Sequence, residues 1–135
     1  MKILIVDDDE LQARQLKRKL QRALGGDADV SAVTTYAEAE CLITTSSPPI
    51  DIGVFDLVMQ KSHTLSQIKQ DPESFEGLRL AKLAMGKSAV VIVTASQEHE
   101  ELRGPTSSFD ADLLSKNDPN YVNMLIDIII KKTGL

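Results

Sequence analysis

Near the N-terminus, four apolar residues run directly into three aspartates, in the order Ile3-Leu4-Ile5-Val6-Asp7-Asp8-Asp9. A short run that is apolar at every position predicts a strand buried on both faces of a parallel sheet. From Glu10 to Leu24, apolar residues recur at helical spacing, and Gly25-Gly26 then ends the pattern. The sequence therefore predicts a strand followed at once by a helix, with aspartates at the carboxyl end of the strand.

The rest of the sequence repeats this alternation of strand and helix. Further strands are predicted at Val30–Val33, Ile50–Phe55, Ala89–Thr94 and Ala111–Leu114. Further helices are predicted at Tyr36–Ile43, at Leu78–Met85, at Gln97–Arg103 and from Asp118 to about Lys132. Strands that alternate with helices in this way predict an α/β domain built on a parallel sheet.

Length and composition indicate one globular domain. The chain has 135 residues, of which 42% are hydrophobic and 26% charged, which is ordinary for a folded protein. The short apolar runs exclude a membrane span, and the N-terminus lacks a signal-peptide pattern. The single cysteine, Cys41, excludes a disulfide framework and a thiolate zinc site, and we predict that it is a small core residue.

The net charge of −5 gives no overall basic surface for nucleic acid. We therefore expect no direct nucleic-acid partner. The single cysteine favours a reducing cytoplasm as the location, and the short apolar runs predict no membrane partner.

Polar residues follow the predicted strands where each strand ends. In parallel sheets, the carboxyl ends of the strands meet at one edge, and ligands bind there. This edge would collect three kinds of side chain, namely carboxylates, a hydroxyl and an ammonium, at Asp7, Asp8, Asp56, Thr94 and Lys116. Clustered carboxylates repel one another, and a Mg²⁺ ion relieves that repulsion, while the hydroxyl and the ammonium suit an anion. Together they predict a phosphoryl site with a carboxylate nucleophile.

At these residues the sequence resembles the receiver domain of two-component response regulators. The resemblance covers essentially the whole chain and rests on four strand-end motifs, at Ile3 to Asp9, Asp51 to Met59, Val91 to Ala95 and Leu114 to Lys116. It implies one domain over residues 1–135, with a single doubly wound, five-stranded parallel sheet of flavodoxin-like order 2-1-3-4-5 and helices on both faces.

The resemblance also implies the role of each site residue. Asp56 would be the phosphoacceptor, taking a phosphoryl group from a histidine kinase or a histidine phosphotransfer protein. Mg²⁺ would be held directly by Asp8, Asp56 and the backbone carbonyl of Val58, and through water by Asp7. Thr94 and Lys116 would contact the phosphoryl group, and the small Ala95 would leave room for the donor.

The resemblance implies no enzymatic activity beyond self-catalysed phosphotransfer and dephosphorylation. The signal would pass to a downstream output protein through protein contacts. The final helix carries two apolar stripes, and we predict that the extra one forms a homodimer interface.

The sequence departs from the family pattern at four places, one of which is a fourth helix shortened by Gly104-Pro105. Lys116-Asn117 replaces the usual Lys-Pro, and we expect a trans peptide bond there. Leu113 occupies the switch position that usually holds an aromatic residue. An insertion at about Gln60 to Glu76 lengthens the loop after the third strand, and we expect it to be a mobile, polar lip beside the site.

Other interpretations remain open from the sequence. A small phosphohydrolase of the haloacid dehalogenase type would use Asp7 as its nucleophile, with Asp9 completing an Asp-x-Asp motif. A receiver-like scaffold that is never phosphorylated would leave the acidic set unused. The cations of the first helix suit either a solvated face or an acidic partner.

Overall fold

The computed structural model describes residues 1–46, 49–56, 76–85, 88–94, 112–116 and 118–134. Its strands are β1 (Lys2–Val6), β2 (Asp29–Val33), β3 (Ile52–Asp56), β4 (Ala89–Thr94) and β5 (Asp112–Ser115). Its helices are α1 (Glu10–Leu24), α2 (Tyr36–Thr45), α3 (Glu76–Ala84) and α4 (Tyr121–Thr133). Within these residues, no helix has the length and apolar character needed to cross a membrane.

The five strands form one parallel sheet in the order β2-β1-β3-β4-β5. Successive side chains of a strand point to opposite faces, so the sheet has two apolar faces. One face packs against α2 and α3, with Leu4, Phe55 and Leu80 in its core. The other packs against α1 and α4, with Ile5, Leu20 and Leu125 in its core. The predicted fold class, strand order and placement of helices are therefore confirmed.

Most element boundaries agree with the sequence prediction, and α1 shows why. Asp9 is the N-cap of this helix, since its side chain accepts a hydrogen bond from the backbone N–H of Gln12 at 3.1 Å. Gly25 ends the helix with φ of 77°, in the region that favours glycine. Both signals are local, which is why the sequence predicts them well.

Two predictions were wrong. The last helix begins at Tyr121 rather than at Asp118, because the Asp118 side chain instead accepts from the backbone N–H of Asn120 at 2.8 Å and forms a turn. Cys41 is exposed rather than buried. The buried residues of α2 are Ala39 and Ile43, and a residue two positions from each lies on the opposite side of a helix.

The close approach of the Phe55 ring requires the residue at position 53 of β3 to be glycine. Both residues are on the same face of the strand, and the Phe55 side chain is fully buried. A Cβ atom added at Gly53 would lie 2.5 Å from Cζ of the Phe55 ring, which is closer than carbon atoms can pack. Glycine is therefore required at position 53, against the ring of Phe55, which directly precedes Asp56 at the end of β3.

We expect Gly53→Ala to lower the free energy of unfolding by about 1–3 kcal/mol, because the buried ring must shift to admit a methyl group. The matched control is Gly26→Ala, since an added Cβ at Gly26 meets nothing within 4 Å. Chemical denaturation of both variants measures the difference. Equal stability of the two variants would show that the Phe55 ring moves freely.

Candidate functional site

The carboxyl ends of β1 and β3 bring three aspartates together. The two strands are neighbours, with Val6 in register with Phe55, so Asp7 and Asp8 follow β1 beside Asp56 at the end of β3. One carboxylate oxygen from each of the three lies within 4.8 Å of the others. The predicted convergence of these residues is therefore present in the fold.

Lys116 reaches this cluster from the end of β5. Its Nζ lies 2.6 Å from Oδ2 of Asp7 and 3.3 Å from Oδ2 of Asp56. The side chains of Lys116, Asp7 and Asp56 are 11%, 7% and 13% exposed, so the ammonium bridges two largely buried carboxylates. Lys116 had the weakest local signal among the predicted residues, yet it contacts both Asp7 and Asp56.

The surroundings of Lys116 act on its pKa in opposite directions. Burial lowers the pKa of the ammonium, but the charge of Asp56, and then the hydrogen bond and charge of Asp7, raise it by more. The resulting pKa lies above the ordinary value of 10.5. Lys116 therefore remains a cation at neutral pH, and it lies beside a cluster of three aspartate side chains.

This donor set fits a divalent cation. Oxygen ligands bind Mg²⁺ at about 2.0–2.1 Å, so two direct ligands are at most about 4.2 Å apart. A cluster spread over up to 4.8 Å therefore suits an ion held directly by some carboxylates and through water by another. Asp7 suits the water-mediated place, because its Oδ2 accepts from Lys116 and its Oδ1 accepts from the backbone N–H of Asp9 at 2.9 Å.

Two residues that the sequence analysis missed also belong to the site. Oε1 of Gln12, in the first turn of α1, accepts a hydrogen bond from Lys116 Nζ at 3.2 Å. Tyr121, in the first turn of α4, lines a groove of about 120 Å³ together with Gln12 and Lys116. The only sequence signal for either residue is its place in a first helical turn after a strand-end residue.

Tyr121 lies close enough to the cluster to respond to its charges. Burial raises the pKa of its phenol above the ordinary value of 10.0. The charge of Lys116 opposes this change, and the charges of Asp7 and Asp56 add to it. The Tyr121 phenol therefore lines the site without carrying a charge at physiological pH.

The other predicted site residues differ in what the structure describes. Thr94 is the last residue of β4 and is in register with Ser115, which places its backbone at the same edge of the sheet. Leu113 is half-buried and packs against the apolar core that contains Phe55. Several predictions lie outside the described residues, namely Val58, Ala95, the Lys116-Asn117 peptide bond, the helix at 97–103 and nearly all of the insertion at 60–76.

No protein-family profile and no curated protein matches the sequence, but known structures do. A response regulator receiver protein from Burkholderia phymatum is 22% identical with a TM-score of 0.71, over 99% of this chain and 95% of that one. The Francisella response regulator 1452 receiver domain is 26% identical with a TM-score of 0.64, over 98% of each chain.

A third similar structure is the N-terminal domain of a response regulator/sensory box/GGDEF 3-domain protein from Carboxydothermus hydrogenoformans. It is 21% identical with a TM-score of 0.70, over 98% of this chain and 93% of that domain. These similarities confirm the resemblance drawn from the sequence. Over nearly its full length, the chain is similar to response regulator receiver domains, and it has their fold.

Proposed function

We propose that this chain acts in phosphorylation-dependent signalling, accepting a phosphoryl group on Asp56 with Mg²⁺ and relaying the signal through protein contacts. The observation that carries the proposal is the bridge of Lys116 between Asp7 and Asp56, beside Asp8, at the carboxyl edge of a receiver fold. Carboxylates that remain net negative beside a fixed ammonium suit both a divalent cation and a phosphoryl group.

In the proposed reaction, a carboxylate oxygen of Asp56 attacks the phosphorus of a phosphohistidine. The new O–P bond makes an acyl phosphate, the P–N bond breaks, and the imidazole leaves with its electron pair. Lys116 pairs with an oxygen of the transferred group, so it exchanges a carboxylate contact for a phosphoryl contact. Asp8, Asp56, the carbonyl of Val58 and, through water, Asp7 would hold Mg²⁺, which when bound neutralises charge on the phosphoryl group.

The geometry favours Asp56 over Asp7 as the nucleophile. Asp7 is the more buried of the two, and each of its oxygens accepts a hydrogen bond. Asp9, which a phosphohydrolase of the haloacid dehalogenase type would need as a second acidic group, accepts from Gln12 as the N-cap of α1. This arrangement supports phosphotransfer rather than phosphohydrolase activity, and we propose that the protein is not an enzyme in the ordinary sense.

The proposed donors are a histidine kinase or a histidine phosphotransfer protein, and the proposed receiver of the signal is an output protein. One similar structure is the N-terminal domain of a three-domain protein, in which further domains follow the receiver. We propose a cytoplasmic location and no direct nucleic-acid partner; the acidic net charge of −5 supports the second of these.

We expect the wild type to gain one hydroxylamine-labile phosphate from acetyl phosphate and Mg²⁺, and Asp56→Asn to gain none, because an amide is not a nucleophile here. Asp51→Asn is the matched control, since Asp51 precedes the other end of β3 and accepts from the backbone N–H of Lys2 at 2.8 Å. Mass mapping identifies the modified residue. Phosphate on Asp7, or an unaltered rate in Asp56→Asn, would refute the assignment.

We expect Lys116→Met to have opposite effects on metal binding and on phosphorylation. Removing the ammonium leaves three carboxylates without their bridging cation, so Mg²⁺ should bind more tightly. Phosphorylation should nevertheless slow by about a hundredfold, because a donor to the transferring group is lost.

Lys132→Met is the control for this prediction, since Lys132 pairs with Asp112 at 3.2 Å, away from the cluster. Calorimetry with Mg²⁺ and the rate with acetyl phosphate measure the two effects. Weaker Mg²⁺ binding in Lys116→Met would show that the lysine assembles the metal site instead of competing with the ion.

We further propose that α4 forms a homodimer contact. Leu125 and Ile129 form its buried stripe, whereas Ile130 and Met124 are 38% and 40% exposed on opposite sides of that stripe. We expect Ile130→Glu to weaken self-association in sedimentation experiments and Met124→Glu to leave it unchanged, with phosphorylation of Asp56 intact in both. A wild type that stays monomeric at high concentration, phosphorylated or not, would end this proposal.

A further inference from the structure

A closed ring of hydrogen bonds links Lys116 to the start of α1. Lys116 Nζ donates to Oδ2 of Asp7, whose Oδ1 accepts from the backbone N–H of Asp9. Oδ1 of Asp9 accepts from the backbone N–H of Gln12, and Oε1 of Gln12 accepts from Lys116 Nζ. The ring therefore joins the ends of β1 and β5 through the first turn of α1.

The place of Gln12 in this ring differs from its usual place in a helix cap. A glutamine three residues after an N-cap ordinarily accepts from the backbone N–H of the N-cap residue, which completes a capping box. Here the N–H of Asp9 donates to Asp7 at 2.9 Å instead. The carboxamide of Gln12 thus turns to the lysine, and its oxygen must face the ammonium because an ammonium has no acceptor.

The three acceptors around Lys116 are chemically unequal. An ammonium has three donors, and described acceptors lie at 2.6 Å on Asp7, 3.2 Å on Gln12 and 3.3 Å on Asp56. Asp7 and Asp56 carry charge and belong to the acidic cluster, whereas Gln12 is neutral and comes from a helix outside it. Gln12 can therefore hold the ammonium without adding to the repulsion among the carboxylates or competing for a metal ion.

We propose that Gln12 is a positioning residue, which holds the Lys116 ammonium between Asp7 and Asp56 so that it meets the phosphoryl group on Asp56. The inference rests on the proposed phosphorylation of Asp56. The contact of Lys116 with Asp56 is the longest of the three, and a phosphoryl oxygen would replace it. The hydrogen bonds of Lys116 to Asp7 and Gln12 would remain. Residue 117 is Asn rather than a proline, which would restrict the backbone after the lysine. The contact with Gln12 restrains the Lys116 side chain instead.

The chain provides a matched control in Gln15. It is the same residue type, exposed on the same helix and lining the same groove, and it lies three residues after Gln12. Gln12→Ala and Gln15→Ala remove the same carboxamide group from α1, but only Gln12→Ala removes a contact with Lys116. A difference between them at the site therefore reports the contact with Lys116.

The first measurement needs no phosphorylation. In ¹H–¹⁵N spectra of lysine ammonium groups, a held ammonium gives a resolved signal, and the signal of Lys116 is identified by its loss in Lys116→Met. We expect this signal in the wild type, in Gln15→Ala and in Gln12→Glu, which keeps an acceptor oxygen, and we expect it to broaden away in Gln12→Ala. An unchanged Lys116 signal in Gln12→Ala would overturn the proposal.

The second measurement is the rate of phosphorylation by acetyl phosphate with saturating Mg²⁺. We expect Gln12→Ala to lower the maximal rate about three- to tenfold, the amount expected for losing one exposed hydrogen bond, without changing the donor concentration at half-maximal rate. Gln15→Ala should match the wild type. Equal maximal rates for the two variants would overturn the positioning role.

These two measurements separate the failure of the inference from the failure of the proposed function. If the wild type gains no phosphate on Asp56, the proposed function is wrong, and the ammonium signal alone decides whether Gln12 holds Lys116.

Discussion

The repulsion among three carboxylates, relieved in part by one ammonium, is the constraint on which this structure depends. Asp7 and Lys116 are 109 residues apart in sequence, yet their charged atoms are 2.6 Å apart. Only a sheet whose strands are all parallel collects the residues after β1, β3 and β5 at one edge. In the order β2-β1-β3-β4-β5, β4 lies between β5 and β3. The Lys116 side chain, which follows β5, must therefore extend past the end of β4 to contact Asp56 and Asp7.

Such a cluster is a poor way to stabilise a protein. Burying an ion pair costs desolvation that its attraction barely offsets, and the third carboxylate leaves the group net negative. The stability must come from the apolar layers beneath, where each strand of the centre is buried on both faces. Phe55, packed against Gly53 directly before Asp56, shows how closely that apolar packing approaches the charged edge. A costly group kept at a fold's ligand-binding edge is best explained by function.

Much of the fold could be predicted because its signals are local. The apolar run before Asp7, the cap at Asp9 and the glycine at Gly25 each specify an element from a few residues. The three aspartates could be predicted to converge because strand ends meet in a parallel sheet. Cys41 was misplaced because the face that α2 buries depends on packing, and Asp118 because its side chain can cap a helix or close a turn. Gln12 was not predicted, because it lies inside α1 rather than at a strand end, so the rule that gathers strand-end residues does not include it.

The contact between Lys116 and Gln12, which was not predicted, connects the site to the N-terminus of α1. In the ring formed by Lys116, Asp7, Asp9 and Gln12, two of the four hydrogen bonds involve backbone N–H groups at the start of α1. These N–H groups have no partner within the helix, so the acidic residues beside them are also what complete its first turn. A ligand that replaces the contact of Lys116 with Asp56 leaves Asp7 and Gln12 as acceptors of the lysine, so the ammonium stays connected to the N-terminus of α1. Because the cations of α1 project from this same helix into solvent, a change of charge at Asp56 has a short physical route to an exposed surface that does not pass through the apolar Leu113.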